Sequence, residues 1–178
     1  VIDALLQSSD KVNAIQNEEI ETLKSTIDFT KKIILVTGHR RENHGDGFIN
    51  ISAALKEIAV TNPDVQIIYP VHLNPNVQET VYGLLEEQEN ILLIPPLDYE
   101  VFIWLMNKSF LIITDSGGVQ EEAPSLGKPV LVTRDVTERV EALESGVVKL
   151  VGTVKNVILF ETNQFIYFLV WKGFWGFG

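Results

Sequence analysis

Phe110-Leu-Ile-Ile-Thr-Asp-Ser-Gly-Gly-Val-Gln-Glu-Glu-Ala-Pro-Ser-Leu-Gly-Lys-Pro-Val130 is the stretch that decides the fold. The apolar run Phe110 to Ile113 has the length and continuity of a buried strand. It feeds the polar turn Asp115-Ser-Gly-Gly118, and a helix-compatible run follows with Glu121 and Glu122 in its first turns. A strand, a glycine turn and a helix start leave backbone N–H groups and the positive end of a helix dipole facing one point, which suits a phosphate. The glycines allow close approach to the backbone, and a glutamate one turn further in can accept hydrogen bonds from sugar hydroxyls. The same residues also fit a tight strand-to-helix turn with Ser116 as N-cap, and isolated glycine motifs discriminate poorly between the two.

Working outward, apolar runs recur at Lys32–Thr37, Val65–Val71, Asn90–Ile94, Phe110–Ile113, Pro129–Thr133 and Val147–Val151. Their hydrophobicity is continuous rather than alternating, as in parallel strands covered on both faces. Between them, Ile51, Leu55 and Ile58 share one helical face, and Val77, Val81, Leu84 and Leu85 share another. The pattern predicts an α/β protein with a doubly wound, Rossmann-like parallel sheet. Ligands of such sheets bind beyond the carboxyl ends of the strands.

The division expected along the chain is a linker and polar helix over 1–30, a Rossmann-like domain over 31–153 and an aromatic tail over 154–178. The tail carries Phe160, Phe165-Ile-Tyr-Phe-Leu-Val-Trp171 and Gly173-Phe-Trp-Gly-Phe-Gly178. It is too short and interrupted for a membrane span. It reads either as an amphipathic helix running into an apolar end or, the favoured expectation, as a truncated or frameshifted terminus.

Composition narrows the function. Fourteen Lys and Arg against 24 Asp and Glu give a net charge of -10, which argues against a nucleic-acid surface. It leaves room for a nucleotide held by backbone N–H groups and one arginine. The chain has no cysteine, hence no disulfide frame and no thiolate metal site. The three histidines lack ligand spacing, so no metal is expected. No Walker lysine or Gly-x-Ser-x-Gly elbow occurs. With no signal pattern either, the simplest expectation is a cytoplasmic protein.

The polar groups that can carry chemistry follow strands. Thr37-Gly-His-Arg-Arg-Glu-Asn43 supplies a histidine that exchanges protons near neutral pH, two arginines for phosphate and Glu42 to orient either of them. His72 lies in Tyr69-Pro-Val-His-Leu-Asn-Pro75 at the end of the second strand, beside the first cluster if the sheet is parallel. His44, in Asn43-His-Gly-Asp-Gly47, reads as a solvated residue of a flexible turn. Arg134-Asp-Val-Thr-Glu-Arg139 again offers both charges at a strand end, or simply a helix cap at Thr137. Phe102 and Trp104, on an apolar helix over Tyr99–Met106, read as core rather than as base-stacking residues.

Taken together, Thr37–Asn43, Tyr69–Pro75, Asp115–Pro124 and Thr137-Glu-Arg139 resemble, in order and spacing, the carboxyl-terminal half of the non-hydrolysing UDP-N-acetylglucosamine 2-epimerases. The resemblance covers residues 1 to 153. It implies one domain of a two-domain glycosyltransferase-B fold with the active site between the domains. It further implies interconversion of UDP-N-acetylglucosamine and UDP-N-acetylmannosamine for cell-surface polysaccharide synthesis. The reaction would proceed by elimination and re-addition of UDP, with no cofactor or metal, in a homodimer.

By motif, His39 would be the catalytic histidine near the diphosphate, and Ser116, Gly117 and Gly118 would hold the phosphates. Glu122 would take the ribose, Pro96 to Phe102 would line the uracil pocket, and Arg139 would add charge for the leaving group. Arg40 and His72 would contact a second, activating UDP-N-acetylglucosamine. Val140 stands where the family has proline, which would loosen that loop. The amino-terminal domain, with the carboxylates that handle the C2 proton, is expected to be missing from this chain, leaving it inactive alone. The competing readings are the donor-binding domain of a glycosyltransferase of the same fold and an inactive fragment.

Overall fold

The computed structural model describes residues 17–139, 141, 143 and 146–171, with side chains in the last helix as far as Tyr167. Six strands form one sheet: β1 (Lys32–Thr37), β2 (Val65–Pro70), β3 (Ile91–Ile94), β4 (Leu111–Thr114), β5 (Val130–Val132) and β6 (Val148–Leu150). Every pairing is parallel, in the order β3-β2-β1-β4-β5-β6. That order is the doubly wound arrangement, and it reverses direction between β1 and β4. The strands fall where the apolar runs predict them. Their ends differ by a residue, most visibly at β4, where Phe110 lies outside the strand and Thr114 inside it.

Alternation along the strands splits the core in two. Ile34, Val36, Ile67, Tyr69, Ile113 and Leu131 face α2 (Asp46–Thr61), α3 (Pro75–Leu85) and α6 (Lys155–Trp171). Ile33, Leu35, Ile68, Ile112, Val130 and Val132 face α1 (Glu18–Thr26), α4 (Tyr99–Lys108) and α5 (Val119–Ser125). Both faces of the sheet are buried, as continuous hydrophobicity requires.

Three expectations gain detail, and one of them, the outward or inward placing of Leu84, changes. The amino-terminal polar helix is α1, capped by Asn17, whose Oδ1 accepts from the Glu19 and Ile20 amides at 2.8 and 3.3 Å. Its Ile20 and Leu23, with Ile27 beyond it, are buried in the core, so it is a packed element rather than a linker. Residues 1–16 lie outside the described residues. In α3, Val77, Val81 and Leu85 are fully buried, whereas Leu84 turns outward. From Lys155 onward the aromatic segment is helical, with Ile158 and Ile166 in the core against α2. The Tyr167 hydroxyl donates to Asn62 Oδ1 at 2.8 Å. Residues 172–178 fall outside the described residues.

Candidate functional site

The turns after β1 and β4 meet at the point where the strand order reverses. One carboxylate joins them. Asp115, 0 % exposed, accepts the backbone N–H of His39 at 3.0 Å and that of Arg40 at 2.9 Å through Oδ2. The same oxygen accepts Asn43 Nδ2 at 3.2 Å. Asn43 Nδ2 also reaches the Thr133 carbonyl at 3.2 Å, which ties in the turn after β5. The Arg40 side chain folds back so that Nε donates to the Asp115 carbonyl at 3.1 Å. Below, the Thr37 and Thr114 hydroxyls of neighbouring strands lie 2.6 Å apart, and Thr114 Oγ1 accepts the Ser116 N–H at 2.9 Å. Backbone donors at a strand end must find partners, and here buried side chains supply them.

A cavity of about 220 Å³ opens at this junction, lined by Thr37, Gly38, His39, His72, Leu97, Phe102 and Ser116 among others. His39 and His72 stack with ring centroids 5.7 Å apart and a 25° interplanar angle. The expected adjacency of the two histidine motifs is therefore present. Phe102 is half-buried on the cavity wall, while Trp104 of the same helix is in the core. Of the pair read as core, Trp104 is in it and Phe102 borders the cavity.

Ser116, Gly117 and Gly118 lead into α5, whose N-cap is Gly118 with no side-chain cap. Ser116 is thus not the N-cap. A Cβ built on Gly117 would meet nothing nearer than Arg40 Nη2 at 3.7 Å, and one on Gly118 nothing nearer than Ser116 Oγ at 4.0 Å. Neither glycine has positive φ. Their own backbone and neighbours do not demand glycine, so the open space in front of the turn is what a side chain would fill. Gly38 differs. A Cβ there would lie 2.9 Å from Tyr69 Oη and 3.1 Å from the Phe48 ring. Tyr69 is buried, and among the described residues its hydroxyl has no partner. Burial drives its pKa well above the ordinary value, and the nearby Asp115 carboxylate adds to the effect.

The remaining predicted residues lie around this centre. Glu122 Oε1 accepts from the Tyr99 hydroxyl at 3.0 Å. Arg139 Nη1 pairs with Glu121 Oε1 at 2.6 Å. Its loop hangs from Thr137, whose hydroxyl bonds Gln120 and accepts the Arg139 N–H at 3.1 Å. Neither Glu122 nor Arg139 lines the cavity. Val140 lies outside the described residues.

Two side-chain expectations are corrected. Glu42 orients neither Arg40 nor Arg41; its Oε1 accepts from Arg134 Nε at 3.0 Å. His44 is half-buried with its ring against Phe48, centroids 5.6 Å apart, and its Nε2 is buried. Asp115, Asn43 and Arg134 stand in the quoted motifs, but sequence reasoning missed their part, which is to hold the turns rather than face the cavity. The available signal was an acidic residue directly between a buried strand and Ser-Gly-Gly. Among the described residues, no group of His, Asp and Glu is arranged to hold a metal, and no helix is long and apolar enough to cross a membrane.

A doubly wound parallel sheet with helices on both faces, an open glycine turn and a histidine at its switch point defines the chain as a Rossmann-like α/β domain. Comparison with known proteins narrows it. The family model described as UDP-N-acetylglucosamine 2-epimerase matches residues 1–168, past the residue-153 limit of the motif resemblance. The UDP-N-acetylglucosamine 2-epimerase of Campylobacter jejuni is 58 % identical over 171 residues, 93 % of this chain and 45 % of its own. That of Escherichia coli K12 is 55 % identical over 168 residues, again 93 % of this chain and 45 % of its own.

The crystal structure of the Neisseria meningitidis UDP-GlcNAc 2-epimerase bound to UDP-GlcNAc superposes with a TM-score of 0.90. It is 46 % identical and covers 96 % of this chain and 46 % of that one. A sucrose-phosphate synthase from Thermosynechococcus elongatus, 16 % identical with a TM-score of 0.65, shares the fold alone. The chain belongs to the UDP-N-acetylglucosamine 2-epimerase family and spans about half the length of the curated relatives it matches.

Proposed function

We propose that this chain is the UDP-binding half of a UDP-N-acetylglucosamine 2-epimerase. In this reading UDP leaves C1 of UDP-N-acetylglucosamine as the C2 proton is removed. It then re-adds to the glucal intermediate, with a proton delivered to the opposite face of C2, giving UDP-N-acetylmannosamine. The observation that carries the reading is the Gly117-Gly118 turn, where neither φ nor packing requires glycine yet an approaching anion would.

Ser116, Gly117 and Gly118 take the diphosphate. Phe102, with Pro96 and Leu97, takes the uracil, and Glu122 the ribose. His39 stabilises or protonates the departing UDP, and Arg139 adds positive charge once released from Glu121. Arg40 and His72 serve a second, activating UDP-N-acetylglucosamine. We assign the carboxylates that handle the C2 proton to a second domain of the complete protein. The same family reading makes the complete protein a cytoplasmic homodimer that needs no metal or nicotinamide.

Titration of the 178-residue chain with UDP tests this. With one wall of the cleft, binding is expected nearer millimolar than micromolar, about 4 kcal/mol weaker than a complete site. Gly117→Val with Gly118→Val should abolish it without unfolding the chain. Equal UDP binding by the double variant would refute the site. In deuterated water the chain alone should incorporate no deuterium at C2 of UDP-N-acetylglucosamine, and incorporation would place the chemistry in this half.

A further inference from the structure

We infer that Asp115 is the positioning residue of His39: it holds the proton on Nδ1 and so assigns Nε2 to proton exchange. Two oxygens divide the work. Oδ2 receives the Arg40 amide, the shorter bond from the His39 amide and Asn43 Nδ2, at 2.9, 3.0 and 3.2 Å. Oδ1 has one long contact with the His39 amide, at 3.3 Å, and lies 3.4 Å from His39 Nδ1. It is the oxygen with capacity to spare, and the ring nitrogen is the group beside it. A buried carboxylate at that place favours a proton on Nδ1 of the neutral ring, because the alternative tautomer would set two lone pairs against each other.

His72 limits the ring from one face. It stacks on His39, and its own Nδ1 accepts the Asn74 N–H at 3.1 Å, which puts its neutral-state proton on Nε2. The two stacked histidines therefore carry opposite tautomers. With Nδ1 held, Nε2 is the His39 nitrogen that can act on a substrate, and the His39 side chain is 47 % exposed. For the elimination step, on which this part rests on the epimerase reading, imidazolium Nε2–H passes its proton to a diphosphate oxygen as the C1–O bond breaks. Neutral Nδ1–H imidazole is left, and re-addition returns the proton. At 3.4 Å the ring nitrogen and Oδ1 are in contact without a formed hydrogen bond, and catalytic hydrogen bonds commonly tighten only when substrate arrives.

The test is the tautomeric state, read from imidazole nitrogen shifts and long-range proton–nitrogen couplings of the 15N-labelled chain above the histidine titration range. The chain has three histidines, and His39→Gln assigns the His39 signals by their loss. The expected result is a protonated Nδ1 and bare Nε2 in His39, with the reverse in His72. Asp115→Asn keeps an oxygen for the amide donors but turns an NH₂ toward His39 Nδ1. The ring should then invert to the Nε2–H tautomer. Asp115→Glu, which restores the charge, should return the original state at least in part.

A wild-type His39 protonated on Nε2, or an Asp115→Asn ring that keeps its Nδ1 proton, overturns the inference. The wild-type spectrum decides it even if the variants fail to fold. UDP titration of the same samples is independent. Loss of UDP binding with the expected tautomers would refute the epimerase reading and leave the positioning role standing.

Discussion

Two polar turns at the same sheet edge are organised by opposite charges, and the contrast separates what is rigid in this site from what is adjustable. After β4 the organiser is a buried carboxylate whose donors are mostly backbone: the His39 and Arg40 amides, with Asn43. After β5 it is a buried guanidinium, Arg134, 4 % exposed, whose partners are Glu42 and Glu138 side chains that remain 51 % and 70 % exposed. Glu138 accepts from Nη1 and Nη2 at 3.1 and 3.2 Å through its two oxygens. Backbone donors cannot move away when the carboxylate is lost, whereas exposed glutamates return to water. The first turn should be costly to disturb and the second cheap, although both organisers are buried charges.

The largest effect expected from breaking this contrast is catalytic. In the complete protein, His39→Ala should lower kcat about 10²–10⁴-fold, the usual contribution of a positioned acid–base group. Substrate affinity should change much less, and steady-state kinetics would show it. A variant with near-normal kcat would make His39 structural and turn attention to Arg139. His72→Ala should instead weaken activation by a second UDP-N-acetylglucosamine and flatten the sigmoidal response.

Next comes Asp115→Ala. It strands one buried donor, Asn43 Nδ2, and two part-buried amides, those of His39 and Arg40, where an unsatisfied buried group costs about 1–3 kcal/mol. Allowing for entry of water, a loss of about 3 kcal/mol is expected in denaturant melts. A loss below about 1 kcal/mol would erase the distinction between the two turns.

Gly38→Ala tests the floor of the same turn. The new methyl would meet the Tyr69 hydroxyl at 2.9 Å and the Phe48 ring at 3.1 Å, and overpacking of this kind costs about 1–3 kcal/mol. Tyr69→Phe in the same chain should relieve part of the loss by removing the closer atom, and a double-mutant cycle would measure the coupling.

The smallest effects should lie in the second turn. Arg134→Met leaves two exposed glutamates to water, so a loss of about 1 kcal/mol or less is expected. The pH dependence is the sharper readout. Hydrogen bonding to Arg134, its own backbone amide and the charge of Arg134 lower the Glu138 pKa from 4.5 to about 2. A carboxylate depressed in the folded state contributes stability that is complete above pH 4.5 and disappears as pH falls toward 2. NMR titration of the Glu138 carboxyl should show this in the parent and a clearly higher value in Arg134→Met, where only the Arg134 contributions are lost.

Much of this was legible in the sequence. Continuous apolar runs announced the parallel sheet, because strands buried on both faces need no polar alternation. Motifs placed just after strands pointed to the edge at which sheets of this kind take ligands, since that edge follows from the topology itself. His39, His72 and Ser116 were named from their motifs and Phe102 only from the family resemblance, and all four line one cavity.

What stayed hidden was which polar group partners which. Glu42 sits next to two arginines in sequence yet pairs with Arg134, 92 positions away. His44 looked solvated until Phe48 came round one turn later to cover its ring. The carboxyl-terminal aromatic run read as foreign material because its hydrophobicity has no clear face, and only the groove beside α2 gives Ile158 and Ile166 somewhere to be buried. Local residue pattern determined the strands, the helices and the edge at which chemistry is placed, because those depend on spacing along the chain. Tertiary structure alone decided that Asp115 is the hub, because its donors come from a turn about 75 residues earlier that reaches it only once β1 and β4 pair.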